Sequence, residues 1–274
     1  MRASVVQMNS TSDRDLNLEA AERLVRAAAG EGAELVVLPE KWPLLSTGEE
    51  LVEGSEPIDG PAITAARSWA RDLGVNLQAG SFTEELADQA LPSNTALMIN
   101  SEGEITATYR KIHMFDVDVG GVEYRESTYE QAGDELTVAI AGPAEVGMTI
   151  CYDLRFPELF RALLDRGADT FTVPSAFTTT TGRDHWGTLV RARAIENQSF
   201  MLAANQVGQA EPQFDSWGHS LIADPWGDVI AGLEDGEGVA TADLDFDSLN
   251  EIRGKLPAVD HRRPELFQPA EDQA

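Results

Sequence analysis

Two kinds of apolar pattern alternate along this 274-residue chain. Short runs of consecutive apolar residues, as at 35–38, indicate strands that are buried on both faces. Between such runs, apolar residues recur every three to four positions, as in Leu18, Ala21, Leu24 and Ala28, which indicates helices with one buried face. The alternation of the two patterns predicts an α/β protein.

Turn residues set the bounds of the predicted elements. Gly30 and Gly32 close the first helix, and a helix over 61–73 begins at a proline and ends at Gly74. Further helices are predicted at 158–165 and 184–197, and strands at 4–8, 35–38, 75–82, 94–99, 104–110, 146–150, 170–174, 200–206, 220–223 and 228–231. No linker or composition break interrupts the series. We therefore expect one domain over residues 1–274, with 257–274 as a C-terminal extension.

The single cysteine, Cys151, lies where the predicted strand 146–150 stops and a helix that starts near Pro157 begins. A thiol at such a junction meets backbone N–H groups and the positive end of a helix dipole, which favour the thiolate. The alternative is that Cys151 is a small buried hydrophobe, as many free cysteines are. This segment alone leaves both interpretations open.

Two other strand ends carry polar residues. Glu40 follows the apolar run 35–38, and Lys111 follows the strand 104–110. Open α/β sheets carry their sites at the carboxyl ends of strands. Taken singly, Glu40 could be a solvated strand-end residue and Lys111 a surface lysine beside Arg110.

These three residues occur in the order of the Glu-Lys-Cys triad of the nitrilase, or carbon–nitrogen hydrolase, superfamily, which the chain resembles from residues 5–9 to 260–267. The sequences of segments 151–159, 174–178 and 182–186 are similar to those of the Nit branch of amidases, the branch that resembles omega-amidase. True nitrilases usually have Trp-Glu after the cysteine, where this chain has Tyr152-Asp153. The resemblance implies a four-layer α-β-β-α sandwich (the nitrilase-like fold) and a homodimer or larger homo-oligomer.

The resemblance also implies roles. Glu40 is the expected base, Cys151 the nucleophile that forms a thioester, and Lys111 with the backbone N–H of Tyr152 the oxyanion donors. Glu126 matches a second carboxylate of the family and is expected to orient the substrate and Lys111. Glu123 and Glu130 lie close by, and any of these could be a surface glutamate in so acidic a chain. The scheme requires no metal and no organic cofactor.

The substrate pocket is less well defined by the sequence. The Arg155 guanidinium could bind a substrate carboxylate, or it could form a salt bridge with Asp153 or Glu158. Tyr152, Phe177 and Thr178 are expected to line the pocket, although Phe177 could equally belong to the core. His185 has no companion ligands at useful spacing, so a zinc site is not predicted.

Composition restricts the partners and the cellular location that we expect. The net charge of −27 and the sequence pI near 4.3 argue against nucleic acid and anionic membrane as partners. The charge also suggests halophilic adaptation, with an ordinary acidic surface as the alternative. One cysteine permits no intrachain disulfide, and no stretch approaches the ~20 apolar residues of a membrane span, so we expect a cytoplasmic protein.

Together these features predict a thiol amidase that hydrolyses a small, carboxylate-bearing amide to an acid and ammonia. Within the same fold the alternative is hydrolysis of N-carbamoyl compounds or nitriles by the same three residues. An alternative of a different class is a non-catalytic scaffold. Such scaffolds tend to lose one member of the triad, and all three are present here.

Overall fold

The computed structural model describes residues 1–210 and 214–266. Its strands are β1 (Arg2–Gln7), β2 (Leu35–Val37), β3 (Asn76–Gln78), β4 (Phe82–Glu84), β5 (Ser93–Ile99), β6 (Ile105–Arg110), β7 (Asp116–Val119), β8 (Val122–Arg125), β9 (Val138–Ala141), β10 (Ala144–Met148), β11 (Thr170–Thr172), β12 (Phe200–Ala203), β13 (Val207–Ala210), β14 (Phe214–Trp217), β15 (Leu221–Ala223), β16 (Val229–Gly232) and β17 (Gly238–Asp243). Its α-helices are α1 (Arg14–Gly30), α2 (Gly48–Glu53), α3 (Pro61–Leu73), α4 (Pro157–Leu164), α5 (Thr179–Asn197) and α6 (Phe246–Lys255).

Two sheets form the centre of the molecule. The first has the order β17-β1-β2-β3-β5-β4, with β6 paired to β5, and the second has the order β16-β15-β12-β11-β10-β9. Parallel pairing joins β1 to β2 and β3 in the first sheet, and β10 to β11 and β12 in the second. The carboxyl ends of β2, β10 and β11 therefore lie at sheet edges where side chains from different strands can meet.

The buried residues of the first sheet alternate between two layers. In β2, Leu35 and Val37 pack toward the second sheet, whereas Val36 packs with α1 and α3 on the other side. Helices α4 and α5 cover the outer face of the second sheet. This confirms the predicted four-layer α-β-β-α sandwich, and it explains why β2 is a continuous apolar run, because both of its faces are buried.

Several predicted bounds differ from the structure for local reasons. Helix α3 ends at Gly74 as predicted, with the left-handed backbone that glycine tolerates (φ 67°). The predicted strand 75–82 is divided into β3 and β4 at Gly80, where φ is 50° and a Cβ would lie 2.1 Å from the Pro39 carbonyl oxygen. Helix α5 begins at Thr179 rather than at Asp184.

The segment 116–132, whose course the sequence left open, contains the hairpin β7–β8 and a 3₁₀ turn at Glu126–Thr128. The predicted C-terminal extension, 257–274, lies in part outside the described residues, and the domain assignment stays a prediction. In the described part of the chain, no helix is long and apolar enough to cross a membrane.

Candidate active site

A cavity of about 540 Å³ opens at the carboxyl ends of β2, β6, β10 and β11. Its lining contains each of the residues that the sequence singled out as catalytic or substrate-binding: Glu40, Lys111, Glu126, Cys151, Tyr152, Arg155, Phe177 and Thr178. These residues come from segments up to 138 positions apart in the sequence. The topology brings all of them to one site.

Glu40 is buried, with 3% of its surface exposed, and its carboxylate has fixed partners. Oε1 accepts hydrogen bonds from Lys111 Nζ (3.0 Å) and from Asn94 Nδ2 (2.8 Å). Oε2 accepts from the backbone N–H of Ala176 (2.8 Å). The Glu40 carbonyl accepts from Gln206 Nε2 (2.9 Å), so both the main chain and the side chain are held. Glu40 is therefore not a solvated strand-end residue.

Lys111 is likewise buried, at 2% exposure, and it is bound by two carboxylates. Its Nζ donates to Glu126 Oε1 and Oε2 (2.8 and 2.9 Å) as well as to Glu40. Burial disfavours the ammonium, but the charges of Glu126 and Glu40 outweigh this and raise the pKa of Lys111 well above its usual value. Lys111 thus stays a cation, and the surface-lysine interpretation is wrong.

Cys151 occupies a strained elbow directly after β10. Its φ is 45°, a left-handed conformation that is uncommon for a residue with a side chain, and its N–H donates to the Pro174 carbonyl (2.8 Å). The turn is fixed by Asp153, which is fully buried and accepts from the Ile150 N–H (2.9 Å), Tyr109 Oη (2.7 Å) and the His113 ring (Nδ1, 2.7 Å). The elbow points the thiol into the cavity.

The predicted stabilisation of the thiolate is wrong for the free site. Cys151 opens a short 3₁₀ turn, Cys151–Arg155, and α4 begins only at Pro157, so no long helix starts at the sulfur. Burial and the Glu40 charge raise the pKa of Cys151 well above its usual value, and Lys111 opposes them only in part. Glu40 is the carboxylate whose charge acts on the thiol, and it is the group placed to take the thiol proton.

A second ammonium and a third carboxylate lie in the same cavity lining. Lys41 Nζ is 2.7 Å from Glu130 Oε2 and 3.7 Å from Glu126 Oε1. The Glu130 side chain is completely buried, so this residue is not the surface glutamate that its neighbourhood in the sequence suggested. Glu123 remains exposed and pairs with Arg125 (2.6 Å). We call Glu40, Lys111, Glu126, Lys41 and Glu130 the charged row.

Burial and the neighbouring charges shift the pKa values of Glu126 and Glu130 in opposite directions. Burial favours protonation of Glu126, but the Lys111 and Lys41 ammonium groups outweigh it and lower the pKa of Glu126 to about 2. Burial dominates at Glu130, where Lys41 opposes it and the Glu126 charge reinforces it, and the pKa of Glu130 is raised to about 7. Glu126 is therefore ionised at neutral pH, whereas Glu130 titrates there.

A second part of the cavity lining has a different character. The Arg155 guanidinium carbon lies 5.0 Å from the centre of the Phe177 ring and 6.0 Å from that of Tyr152, and Nη1 lies 3.2 Å from His185 Nδ1. Phe177 is 4% exposed and also packs on Trp186, and Thr178 precedes α5. We call Tyr152, Arg155 and Phe177 the aromatic wall.

The predicted alternative for Arg155, a salt bridge to Asp153 or Glu158, is wrong. Asp153 has the partners described above, and within residues 1–210 and 214–266 no carboxylate oxygen lies within 4 Å of the Arg155 guanidinium. A guanidinium at a cavity surface without a carboxylate partner is suited to an anionic ligand.

Sequence reasoning missed several residues that support the site. Asn94 holds Glu40 and also lies 3.4 Å from Glu126 Oε1, and Asp153 with Tyr109 fixes the elbow. Asn94 begins the predicted strand 94–99, and a polar residue at a strand end opposite Lys111 was a usable signal. The hydrogen bond between Tyr109 and Asp153 joins residues 44 positions apart, and nothing in the sequence near either residue predicted it. Among the described residues, no group of three or more His, Cys, Asp or Glu side chains could hold a metal ion.

Comparison with known proteins agrees with this fold and site. The crystal structure of the C. elegans NitFhit protein superposes with a TM-score of 0.91 and 36% identity, over 97% of this chain and 66% of that longer fusion protein, which places the chain among proteins of the nitrilase-like fold. Residues 2–254 match the carbon-nitrogen hydrolase family. The chain belongs to this family, and it is a hydrolase that acts on carbon–nitrogen bonds.

Curated relatives carry a more specific name. Deaminated glutathione amidase of Bos taurus is 40% identical over 270 residues, which cover 96% of this chain and 82% of the bovine protein. Deaminated glutathione amidase of Synechocystis sp. is 38% identical over 264 residues, which cover 95% of this chain and 97% of the other.

Proposed function

We propose that the protein is a thiol amidase that hydrolyses a small, carboxylate-bearing amide to an acid and ammonia through a thioester on Cys151. The observation that carries this proposal is the arrangement at Glu40, whose carboxylate binds the Lys111 ammonium (3.0 Å) and lies close enough to Cys151 for its charge to raise the pKa of the thiol. A base beside the nucleophile and a cation beside the reacting atoms are the groups that acyl transfer needs.

The first half-reaction forms the thioester. As Sγ attacks the amide carbon, its proton passes to Glu40, and the charge that develops on the carbonyl oxygen is met by the Lys111 ammonium and the Tyr152 N–H. When the tetrahedral intermediate collapses, the carbon–nitrogen bond breaks and Glu40 gives its proton to the departing nitrogen, which leaves as ammonia. Because the resting thiol is neutral, proton transfer accompanies the attack rather than preceding it.

The second half-reaction returns the enzyme to its starting state. Water enters the position that ammonia has left, and Glu40, again ionised, accepts a proton from it as the oxygen attacks the thioester carbon. The carbon–sulfur bond breaks, the acid is released, and the proton on Glu40 returns to the sulfur. Glu126 touches no reacting atom in this scheme; it holds Lys111 with both of its oxygens.

Arg155 supports the assignment of substrate class. Its guanidinium lines the cavity beside two aromatic rings and a histidine, and no carboxylate oxygen of the described residues lies within 4 Å of it. A substrate carboxylate would supply the missing counter-charge. The relatives named deaminated glutathione amidase support an amide substrate.

The proposal is tested by ammonia release from a panel of small ω-amides, N-carbamoyl acids and nitriles, in high salt. We expect turnover of a carboxylate-bearing ω-amide by the native chain and none by Cys151→Ala. Turnover of carbamoyl compounds or nitriles alone would replace the amidase assignment by the alternative within the same fold. An absence of turnover, with Cys151 inert to acylating reagents, would leave only the scaffold.

Three further predictions accompany this proposal and are not tested by the structure: a cytoplasmic location, a homo-oligomeric state, and adaptation to high salt. The last rests on the net charge of −27. Activity measured from low to molar salt decides it, because a halophilic enzyme gains activity as salt screens its self-repulsion.

A further inference from the structure

The Lys41–Glu130 pair is unused by the mechanism above, although it lies in the same cavity lining. Lys41 directly follows Glu40, has a left-handed backbone (φ 52°), and is held there by a hydrogen bond from its N–H to Ser81 Oγ (3.0 Å). Its side chain is 10% exposed and that of Glu130 is not exposed at all. The Glu130 carboxylate also accepts a hydrogen bond from Thr83 Oγ1, at 3.3 Å from Oε1.

Stability alone does not account for this pair. Burying two ions costs several kcal/mol each, which their attraction offsets only with good geometry, so that a buried pair is weak evidence of a contribution to stability. Lys41 is also ill suited to bind a substrate anion, because carboxylates of Glu130 and Glu126 lie 2.7 and 3.7 Å from its Nζ. In this respect it differs from Arg155.

The distances place Lys41 in competition for Glu126. The Glu126 carboxylate binds the Lys111 ammonium at 2.8 Å, and Lys41 is 3.7 Å from the same oxygen, drawn toward Glu130 instead. If the ion pair between Lys41 and Glu130 weakens, the Lys41 ammonium can move closer to the Glu126 carboxylate. The Lys111 charge is then less neutralised by Glu126, and it acts more strongly on the Cys151 sulfur.

We propose that Lys41 and Glu130 are positioning residues of this active site, and that uptake of a proton by Glu130 releases Lys41 toward Glu126 and makes the Cys151 thiol more acidic. The proposal deepens the amidase assignment and rests on it for its meaning in catalysis. The charged groups that face Glu130 are Lys41 after β2, Glu126 on the 3₁₀ turn, and Lys111 after β6.

The predicted direction follows from charge. An ionised Glu130 adds a negative charge to the site and opposes formation of the thiolate, and it also keeps Lys41 away from Glu126. Both effects disfavour the Cys151 thiolate. Since the pKa of Glu130 is raised to about 7, mainly by burial, the change falls near neutral pH.

The test uses the single cysteine of the chain, whose alkylation by iodoacetamide reports its thiolate without any substrate. We expect the alkylation rate of the native protein to rise with pH, with an inflection near pH 7 where the rise slows. Glu130→Gln should lack the inflection. It should match the native rate below pH 6 and exceed it by about three- to tenfold at pH 8, a change equivalent to roughly half to one pKa unit at Cys151.

Two more variants sharpen the result. Adding Lys41→Met to Glu130→Gln should reverse the gain, because the released ammonium is then absent. Thr83→Val keeps the charges but removes one hydrogen bond to Glu130, so that the inflection should move to higher pH; this variant also serves if Glu130→Gln fails to fold.

Glu56→Gln is the matched control. Glu56 is another buried carboxylate with a raised pKa, chiefly from burial, and it pairs with Arg14 (3.4 Å) outside the main cavity. This variant should keep the native profile. Folded Glu130→Gln and Thr83→Val proteins with native profiles would overturn the proposal.

The amidase assignment is judged separately, from ammonia release. If the native chain hydrolyses an amide, the kcat/KM of Glu130→Gln should lose the same inflection near pH 7. If it hydrolyses nothing, the alkylation profiles still decide whether Glu130 acts on Cys151.

Discussion

The charged row and the aromatic wall, two parts of the cavity lining, differ in how their charges are paired. In the charged row, each ammonium lies between carboxylates, with nitrogen–oxygen distances from 2.7 to 3.7 Å. In the aromatic wall, the Arg155 cation has rings and a histidine for neighbours, and its charge is available. The charges of the row are paired with one another, whereas the Arg155 guanidinium has no carboxylate oxygen within 4 Å in the described part of the chain.

This difference suggests a division between chemistry and recognition. Preorganised charges stabilise a transition state at no cost of rearrangement, so damage to the charged row should appear mainly in kcat. The Arg155 cation would bind a substrate carboxylate equally well in the ground state and in the transition state. Substitutions in the aromatic wall should therefore change mainly KM. The variants below are ordered by the size of the expected effect.

The largest effect is expected from Glu40→Gln. The amide keeps the size of the side chain but cannot take the thiol proton, and we expect kcat to fall by about 10³-fold or more with KM nearly unchanged. Steady-state ammonia release measures this. Glu84→Gln is the control, because Glu84 is a buried carboxylate at the end of β4 that binds Arg110 (2.8 Å) away from the cavity. An equal loss in the control would mean that the assay reports folding.

The next largest effect is expected from Arg155→Met. We expect KM for a carboxylate-bearing amide to rise by about 10- to 100-fold, since a charge-assisted hydrogen bond is lost, with kcat changed by less than about threefold. An uncharged amide of similar size should show no such loss, and the ratio of the two substrates is the measurement. A fall in kcat for both substrates would break the proposed division.

A smaller effect is expected from Asp153→Asn, because Asp153 does not line the cavity but fixes the elbow that carries Cys151. The amide can no longer accept every hydrogen bond from Ile150, Tyr109 and His113. We expect a loss of about 1–3 kcal/mol in the free energy of unfolding and a fall of about tenfold in kcat. Urea unfolding and ammonia release check the two. Unchanged kinetics would show that the left-handed cysteine is held by other contacts.

The smallest effect is a pH dependence of stability due to Glu130. In the unfolded chain its pKa is ordinary, and in the folded protein it is raised to about 7, so between these values the folded protein holds a proton that the unfolded chain releases. The contribution of Glu130 to stability therefore falls as the pH rises through this window. We expect Glu130→Gln to remove a dependence on the order of 1 kcal/mol between pH 5 and 8, measured by urea unfolding at constant salt. Parallel stability curves for the two proteins would contradict it.

The parts of the fold that could be predicted were those with local causes. Helix α3 was found to the residue because Pro61 opens it and Gly74 closes it. Hairpin β7–β8 was not found, because its residues, with two aspartates among four in β7, carry no run of buried side chains. The ends of β2 and β10 were visible as apolar runs and that of β6 as the end of a hairpin strand, so the chemically reactive residue after each of them, Glu40, Cys151 and Lys111, was recognisable as a candidate.

What the sequence could not provide was the state of those groups. Whether Glu130 is buried depends on Thr83 and Lys41, which are 47 and 89 positions away. The pKa of Cys151 depends on how close Glu40 and Lys111 lie in space, and the local argument from a helix dipole gave the wrong sign. Residue types and strand ends are local properties, whereas burial and charge separation are properties of the whole fold.

The location of the lysines has a practical consequence. All three lie in the part of the chain that the structure describes, and of these Lys255 alone is exposed, at 73% of its side chain, on a helix that does not line the cavity. Amine-directed reagents should therefore find a single side chain on the enzyme. A fluorophore or a solid support attached through Lys255 would lie on α6, which lines no part of the cavity, and it would need no engineered attachment point.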